Sequence, residues 1–528
     1  MKKLIALLLA LVMVLSLAAC AGDTPPTEGN DPQPTQGEEH VTTSAPTDPP
    51  APLTNAERYP LETDTVLRIV WTDDGVDVTD ASALWEEVTG VKTETLTWNN
   101  EQLMTSLASG DIPDALWRAW NMSRDKVYEY GAAGKFLDFS KHLDKMPNLS
   151  RLIEEYPEIM DVCTYPDGAM YSLPCVIWSN TGQGNLFYIR TDMLAEMGWD
   201  HTPATTDEFL TFIKEAQAKY GADNPEFKAL HPYTKNYMRW NAVNSLCYTL
   251  FPSFGDLIEP GLTLDSNDKV TLGVATEQYK HYLEFMHEIW ESGAFETEVY
   301  TLDSAAAKAS IQAGNCAISI GTTVTDGSII DVLEPLTSEY QSEKRWAKNS
   351  LVSFSPSVVS ASCKDLDTVL AWFDSFYAQE DDPLTADGTV WGYSISKGRL
   401  GVHWTKDDES MTWTSGESYS NYGTTLYGGN FTYAPTNSLR VKGTGTNEHL
   451  LPYAVQVSGL TALTLSEDDS DTYADIWTDM ENYISQMHSK FITGEEDIEA
   501  GWDAYLKNLE KMGLEELLDI YQRTYDAK

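Results

Sequence analysis

The chain has 528 residues and a formal net charge of −46, from 81 acidic against 35 basic side chains, with 42% apolar residues. So acidic a surface excludes nucleic acid as a partner, because phosphate binding needs a basic face. It also argues against a polyanionic ligand gathered by long-range attraction, and the carboxylates read as the solvated surface of an exported protein.

At the start, Lys2 and Lys3 precede the apolar run Leu4 to Leu15, and Leu17-Ala18-Ala19-Cys20 follows. A short positive segment, an apolar stretch of about a dozen residues and small residues before a cut describe a secretory signal. The stretch is short for a membrane span, which needs about 20 residues. The Cys directly after Leu-Ala-Ala resembles a bacterial lipoprotein signal, with residues 1–19 removed and Cys20 lipidated. An ordinary signal peptide is the alternative. Residues 20–55 then form a tether rich in Pro, Thr and acidic residues, including Pro25, Pro26, Pro32, Pro34, Pro46, Pro49, Pro50 and Pro52. Such a segment buries too little surface to offset its ordering entropy, and its prolines favour an extended spacer.

The remaining body, about 470 residues, exceeds what one core organises, so at least two domains are expected. Thr65 to Trp71 reads as a buried strand, followed by the polar loop Thr72-Asp73-Asp74-Gly75. A helix with Ala83, Leu84 and Val88 on its apolar face closes at Gly90, and Val91 to Trp98 alternates as a second strand. The helix beginning near Glu101 stops at Gly110 and leads into Ala115-Leu116-Trp117. Strand and helix alternating with short joins imply an α/β fold with a largely parallel sheet covered on both faces. Cys163, Cys175, Cys247, Cys316 and Cys363 lack the close spacing of a zinc or redox site. Buried thiols are the default reading, with a Cys163–Cys175 bridge left open.

Several motifs occur in a recognisable order: Ser109-Gly-Asp-Ile-Pro-Asp114, Tyr165-Pro-Asp-Gly-Ala-Met-Tyr171, Leu186-Phe-Tyr-Ile-Arg190 and Gly198-Trp199. Then come Thr202-Pro-Ala-Thr-Thr-Asp207, with Thr206 or Asp207 as helix cap, Ala309 to Gly321, and the tail Phe491 to Tyr521. In this order they resemble bacterial extracellular solute-binding proteins of family 1, the sugar ABC transporter lipoproteins, and within them a long oligosaccharide-binding subgroup. The resemblance covers about Asp64 to the C-terminus. It implies a two-lobed periplasmic-binding-protein-like fold of type II, with hinge crossings between lobes. The first lobe is placed at 60–178 plus 303–352 and the second at 185–302 plus 355–528, with crossings near Pro174–Trp178, Tyr300–Leu302 and Ser353–Pro356.

The long subgroup often carries a calcium loop after the Thr-Pro-x-Thr helix. Here the matching stretch, Lys219 to Lys228, offers only Asp223, Asn224 and Glu226 as side-chain oxygens, whereas calcium takes six to eight oxygens. No metal and no cofactor is expected. The acidic runs Glu380–Asp382 and Glu467–Asp471 read as solvated turns.

No nucleophile elbow and no His-Glu-x-x-His occurs, so no catalytic residue is assigned. A glycosidase needs only two carboxylates across a cleft, which keeps an exported glycoside hydrolase as a competing function.

Aromatic residues carry the functional signal. Sugars present apolar faces ringed by hydroxyls, so their pockets combine Trp or Tyr platforms with polar hydrogen-bonders. Ligands of open α/β sheets bind beyond the carboxyl ends of strands. The expected set is Trp71, Asp73 and Asp74 after the first strand, Trp117, Arg118 and Trp120 after the third, and Trp178 and Asn180 after the first crossing. Tyr237 and Trp240 form a further cluster, Thr322 and Thr323 follow Gly321, and Trp391, Tyr393, Trp404 and Trp413 lie in an aromatic, glycine-rich region. Trp85, Trp290, Trp372 and Trp477 sit in helical patterns and are assigned to cores. The expected function is a monomeric lipoprotein, on the outer face of the bacterial cytoplasmic membrane, that captures an oligosaccharide or other small solute. It would deliver the solute to ABC permease subunits, touching the membrane only through its lipid. A surface glycan binder without a transporter, and a receptor for a peptide or other solute, compete with this function.

Overall fold

The computed structural model describes residues 54–71, 79–117, 119, 122–176, 186–242, 245–256, 258–296, 298–321, 324–348, 352–378, 404–406, 411–413, 450–456 and 460–528. Cys20, the expected lipidation site, and most of the expected tether lie outside them. In chain order the strands are β1 (Val66–Trp71), β2 (Lys92–Thr97), β3 (Ala115–Trp117), β4 (Leu173–Val176), β5 (Phe187–Arg190), β6 (Leu230–Pro232), β7 (Leu262–Leu264) and β8 (Val270–Leu272). They continue with β9 (Ile318–Ile320), β10 (Ile330–Val332), β11 (Trp346–Lys348), β12 (Val352–Val359), β13 (Trp404–Lys406), β14 (Met411–Trp413) and β15 (Ala454–Gln456).

The first sheet has the order β2-β1-β3-β12-β4. β1 runs parallel to β2 and β3, and β12 runs antiparallel to β3 and β4. β1 is covered on both faces only toward its carboxyl end, since Val66 is 49% exposed whereas Leu67, Ile69 and Val70 are buried. Leu67 and Ile69 enter a core with Trp85, Val88 and Phe373, while Val70 joins Leu103, Leu107 and Leu116 on the other face. Each such aliphatic or Phe side chain contributes about 1.5–3 kcal/mol when fully buried. The helix Asn100–Ser109 supplies the second face. Asn99 caps it, accepting the N–H of Gln102 at 2.9 Å, and Gly110 ends it with φ 77°, a left-handed conformation open to glycine. Asp114 then accepts the N–H of Arg68 at 2.8 Å, so the Ser-Gly-Asp-Ile-Pro-Asp motif is a structural joint between helix and sheet.

The second sheet has the order β10-β5-β9-β6. Its core gathers Phe187, Ile189, Phe209, Leu230, Ile318 and Ile320, together with Met480, Ile484, Trp502 and Tyr505 from the C-terminal helices Glu467–Thr493 and Ile498–Lys511.

Sheet pairing corrects the expected lobe boundaries. The segment assigned to the first lobe at 303–352 contains β9 and β10, which pair with β5 and β6 in the second sheet. Residues from 355 onward, assigned to the second lobe, begin with β12, which pairs with β3 and β4. The helix Leu366–Ser375 follows β12 and buries Val369, Leu370, Trp372 and Phe373 in the first core. There is accordingly no crossing at Tyr300–Leu302: the chain passes from the second core through the helix Ser304–Gln312 directly into β9. Periodicity marks a segment as strand, but not which sheet it joins.

Two smaller expectations also change. The helix Thr206–Tyr220 is capped by Thr205, one residue before the expected Thr206, and Thr205 accepts the N–H of Glu208 at 3.1 Å. Glu467–Asp471 opens a 27-residue helix, and Glu467, Asp468 and Asp469 in its first turn meet the positive end of the helix dipole. Cys163 and Cys175 are buried thiols with no disulfide between them. Among the described residues no helix is long and apolar enough to cross a membrane.

Candidate functional site

Strand direction brings particular ends together. In the first sheet, β1 and β3 end in register, Trp71 opposite Trp117, and the last residue of β4, Val176, stands opposite the first of β12, Val352. In the second sheet, β6 and β9 end together, Pro232 opposite Ile320, which also stands opposite Phe187, where β5 begins. β10 ends nearby, with Val332 opposite Tyr188. The chain leaves the first edge at Val176 and reaches the second at Phe187. It returns from Val332 by way of β11 to Val352. Both connections therefore join the same two edges, the carboxyl ends where open α/β sheets take their ligands.

A third link is made by residues 450–456 and 460–470. Leu450 packs with Val332 and Trp346, and β15 pairs in parallel with β11. Further on, Thr464 and Leu465 reach the helix Arg124–Ala132, which follows β3. Arg124 is only 6% exposed. Its guanidinium lies 4.5 Å from the Tyr165 ring and donates to Thr464 Oγ1 at 2.8 Å, to the Thr164 carbonyl at 2.7 Å and to the Val162 carbonyl. Burial draws its pKa below the ordinary guanidinium value. The Asp125 carboxylate accepts the Leu465 N–H at 2.7 Å and the Ser470 hydroxyl at 3.3 Å, and burial pushes its pKa up. Between the two helices lies a cavity of about 170 Å³, lined among others by Asp125, Tyr128, Glu129, Ser466 and Glu467. Carboxylates and hydroxyls beside a phenol ring are groups suited to a hydroxyl-rich ligand.

The expected site residues fall into separate groups. Trp117 is corrected: it is 1% exposed, stacked on Trp85 at 5.7 Å and on Phe373 at 5.6 Å, with Trp372 and Phe376 meeting it edge-on. A short strand in the middle of a sheet covered on both faces has no exposed side, so this ring is core. Trp240 is also 1% exposed, donating its indole N–H to Ser485 Oγ at 3.0 Å beside Trp477. Tyr237 is buried with it, its ring edge-on to Tyr233 at 5.3 Å. Trp71 stands at the end of β1, on the first edge. Trp404 and Trp413 are register partners in the antiparallel pair β13–β14. Asp73, Asp74, Arg118, Trp120, Trp178, Asn180, Thr322, Thr323, Trp391 and Tyr393 lie outside the described residues. Sequence reasoning passed over Arg124, Asp125 and Tyr128, although they come directly after the Trp117–Asn121 stretch. Nothing local announces their partners some 340 residues later.

The loop at 219–228 offers few side-chain oxygens. Asn224 Oδ1 accepts the Glu226 N–H at 3.1 Å, and Glu226 Oε2 accepts the Asn315 amide at 3.4 Å. Asp223 is exposed. Among the described residues no group of three or more His, Cys, Asp or Glu could hold a metal ion. This donor set does not fit calcium's shell of six to eight oxygens.

Comparison with known proteins agrees with this architecture. Over 476 residues the chain is 25% identical to the fructooligosaccharide ABC transporter substrate-binding protein FusA of Streptococcus pneumoniae, covering 84% of this chain and 85% of the relative. It is 22% identical over 469 residues to lipoprotein LipO of Bacillus subtilis, covering 81% and 84%. The structure of FusA with kestose matches with a TM-score of 0.68 at 21% identity, covering 88% of this chain and 99% of that one. FusA has also been solved as an EF-hand mutant with fructo-nystose, at a TM-score of 0.67 and 22% identity, covering 88% and 99%. The alginate-binding protein AlgQ2, solved without calcium ion, matches at 0.64 with 18% identity and the same coverage. The fold is therefore that of the periplasmic-binding-protein-like solute receptors. The family described as bacterial extracellular solute-binding protein matches residues 87–393, more than half of the sequence, and the chain belongs to that family.

Proposed function

We propose that the solute is a carbohydrate, an oligosaccharide, held between the two sheet edges that the connections join, and that it is passed unaltered to the permease of an ABC transporter. The observation that carries this reading is the end-to-end similarity to FusA, whose chain is covered to 99% in its kestose complex. A ligand touching both sheet bodies favours their closed arrangement, which is the form a permease would distinguish. The protein acts as a monomer, held outside the cell by a lipid on Cys20.

Isothermal titration against fructooligosaccharides and other glycans of graded length tests the ligand class. Saturable binding by at least one of them is expected, with the glycan recovered intact. A protein that ignores the whole panel but binds peptides, or that shortens the glycan, is not the receptor described here. Cys20→Ala should move the protein from membrane fraction to medium, and the anchor is refuted if the native chain carries no lipid.

A further inference from the structure

One structural neighbour has been solved as an EF-hand mutant and another without calcium ion, whereas the loop that follows the helix Thr206–Tyr220 here lacks the oxygens of a calcium shell. We propose that two neutral carboxamides, Gln217 and Asn315, hold the loop 221–229 in place of a cation, so that this receptor folds independently of calcium.

The argument starts at the end of the helix Thr206–Tyr220. Gln217 turns back from its last turn and spans the loop's exit: Nε2 donates to the Phe227 carbonyl at 3.2 Å, and Oε1 accepts the Ala229 N–H at 2.9 Å. Gly221 makes this possible, since a Cβ there would lie 2.2 Å from Gln217 Nε2. From the other side, Asn315 reaches across from the turn that precedes β9. Its Oδ1 accepts the Asn224 amide at 3.0 Å, and its Nδ2 donates to Ser310 Oγ at 3.2 Å and to Glu226 Oε2 at 3.4 Å. The Asn315 carbonyl also accepts the Lys228 N–H at 3.1 Å. Phe227, buried in the second core, pins the middle.

An amide suits this task physically. It offers donor and acceptor together, so it can satisfy a backbone C=O and N–H at once, whereas a cation collects only oxygens and must first shed water. The clamp also has a consequence for the site. The loop runs straight into β6, and Asn315 runs straight into β9, two strands that pair in parallel and end together at the binding edge. Their relative position is therefore set by side-chain amide hydrogen bonds on the chain itself.

The test uses the full chain, melted with calcium chloride and again with a chelator. The parent should show the same Tm in both, while Asn315→Ala and Gln217→Ala should melt lower, by roughly 2 °C or more, equally in both. A parent Tm that rises with calcium, or a variant that calcium restores, overturns the proposal, as does a pair of variants that melt like the parent. Hydrogen exchange on the parent gives an arm free of folding defects. The Lys228 and Ala229 amides should be equally protected with calcium and with chelator, and protection that appears only with calcium overturns the clamp. Because these readouts need no ligand, they stand or fall apart from the carbohydrate reading.

Discussion

Asp125 and Leu465 are joined across 340 residues of chain, the carboxylate accepting the Leu465 N–H at 2.7 Å. Beside it Arg124 makes the parallel contact to Thr464, while holding two carbonyls of its own body, at Val162 and Thr164. The helix that follows β3 is thereby fastened to the start of the long C-terminal helix, whose later turns belong to the second core.

That junction should be measurable in stability. Arg124→Ala leaves buried acceptors without their donor, which costs about 1–3 kcal/mol, read as a lower urea midpoint with unchanged slope. Arg124→Lys should recover little, since a single ammonium cannot reproduce the guanidinium fork. A midpoint equal to the parent's in Arg124→Ala would show that the junction contributes nothing.

Trp117 gives the opposite kind of prediction to the one its sequence context suggests. Trp117→Ala opens a hole between Trp85, Trp372 and Phe373 and should cost about 3–5 kcal/mol. The folded fraction should bind oligosaccharide with the parent's affinity. Parent-like stability with weakened binding in titration calorimetry would return this ring to the site.

Gly321, at the end of β9, has φ +72°, and a Cβ there would lie 2.0 Å from Tyr237 Oη. Gly321→Ala should therefore destabilise by about 1–3 kcal/mol through overpacking, added to about 1–2 kcal/mol for left-handed backbone. Tyr237→Phe in the same chain removes the nearest atom and should restore part of the loss. The backbone cost and the Tyr233 ring at 2.9 Å remain. Thermal melts of the single and double variants decide it: no recovery at all would mean that the hydroxyl is not the obstacle.

His488 couples the second core to pH. Its ring is enclosed by Tyr279 and Tyr282, with Nδ1 2.6 Å from the Tyr279 hydroxyl, and burial lowers its pKa from 6.5 to about 4. The unfolded chain then binds the proton more readily than the native one. The contribution of His488 is complete above pH 6.5 and is lost as pH falls from there toward about 4. Urea unfolding across that window should show stability falling, with a shallower fall in His488→Gln. Equal slopes would remove His488 as the cause.

Local physics made much of this chain legible before its tertiary structure. The apolar run of β1 specified a strand, Gly110 specified a helix end, and the ordered motifs from Ser109 to the C-terminal tail pointed to the receptor fold. These features depend on neighbours within a turn or a strand. Tertiary pairing alone decided the rest. β9 is legible as a strand before Gly321, but its sheet, like those of β10 and β12, was settled by hydrogen-bond partners far away in sequence. Trp117 and Trp240 look like cleft platforms because they stand among polar neighbours, and only the rings packed around them from distant helices make them core. Arg124, Asp125 and Tyr128 look like an ordinary helix start until residues 464–470 close over them. The side chain is written locally, whereas its exposure and its partners are properties of contacts that no local window contains.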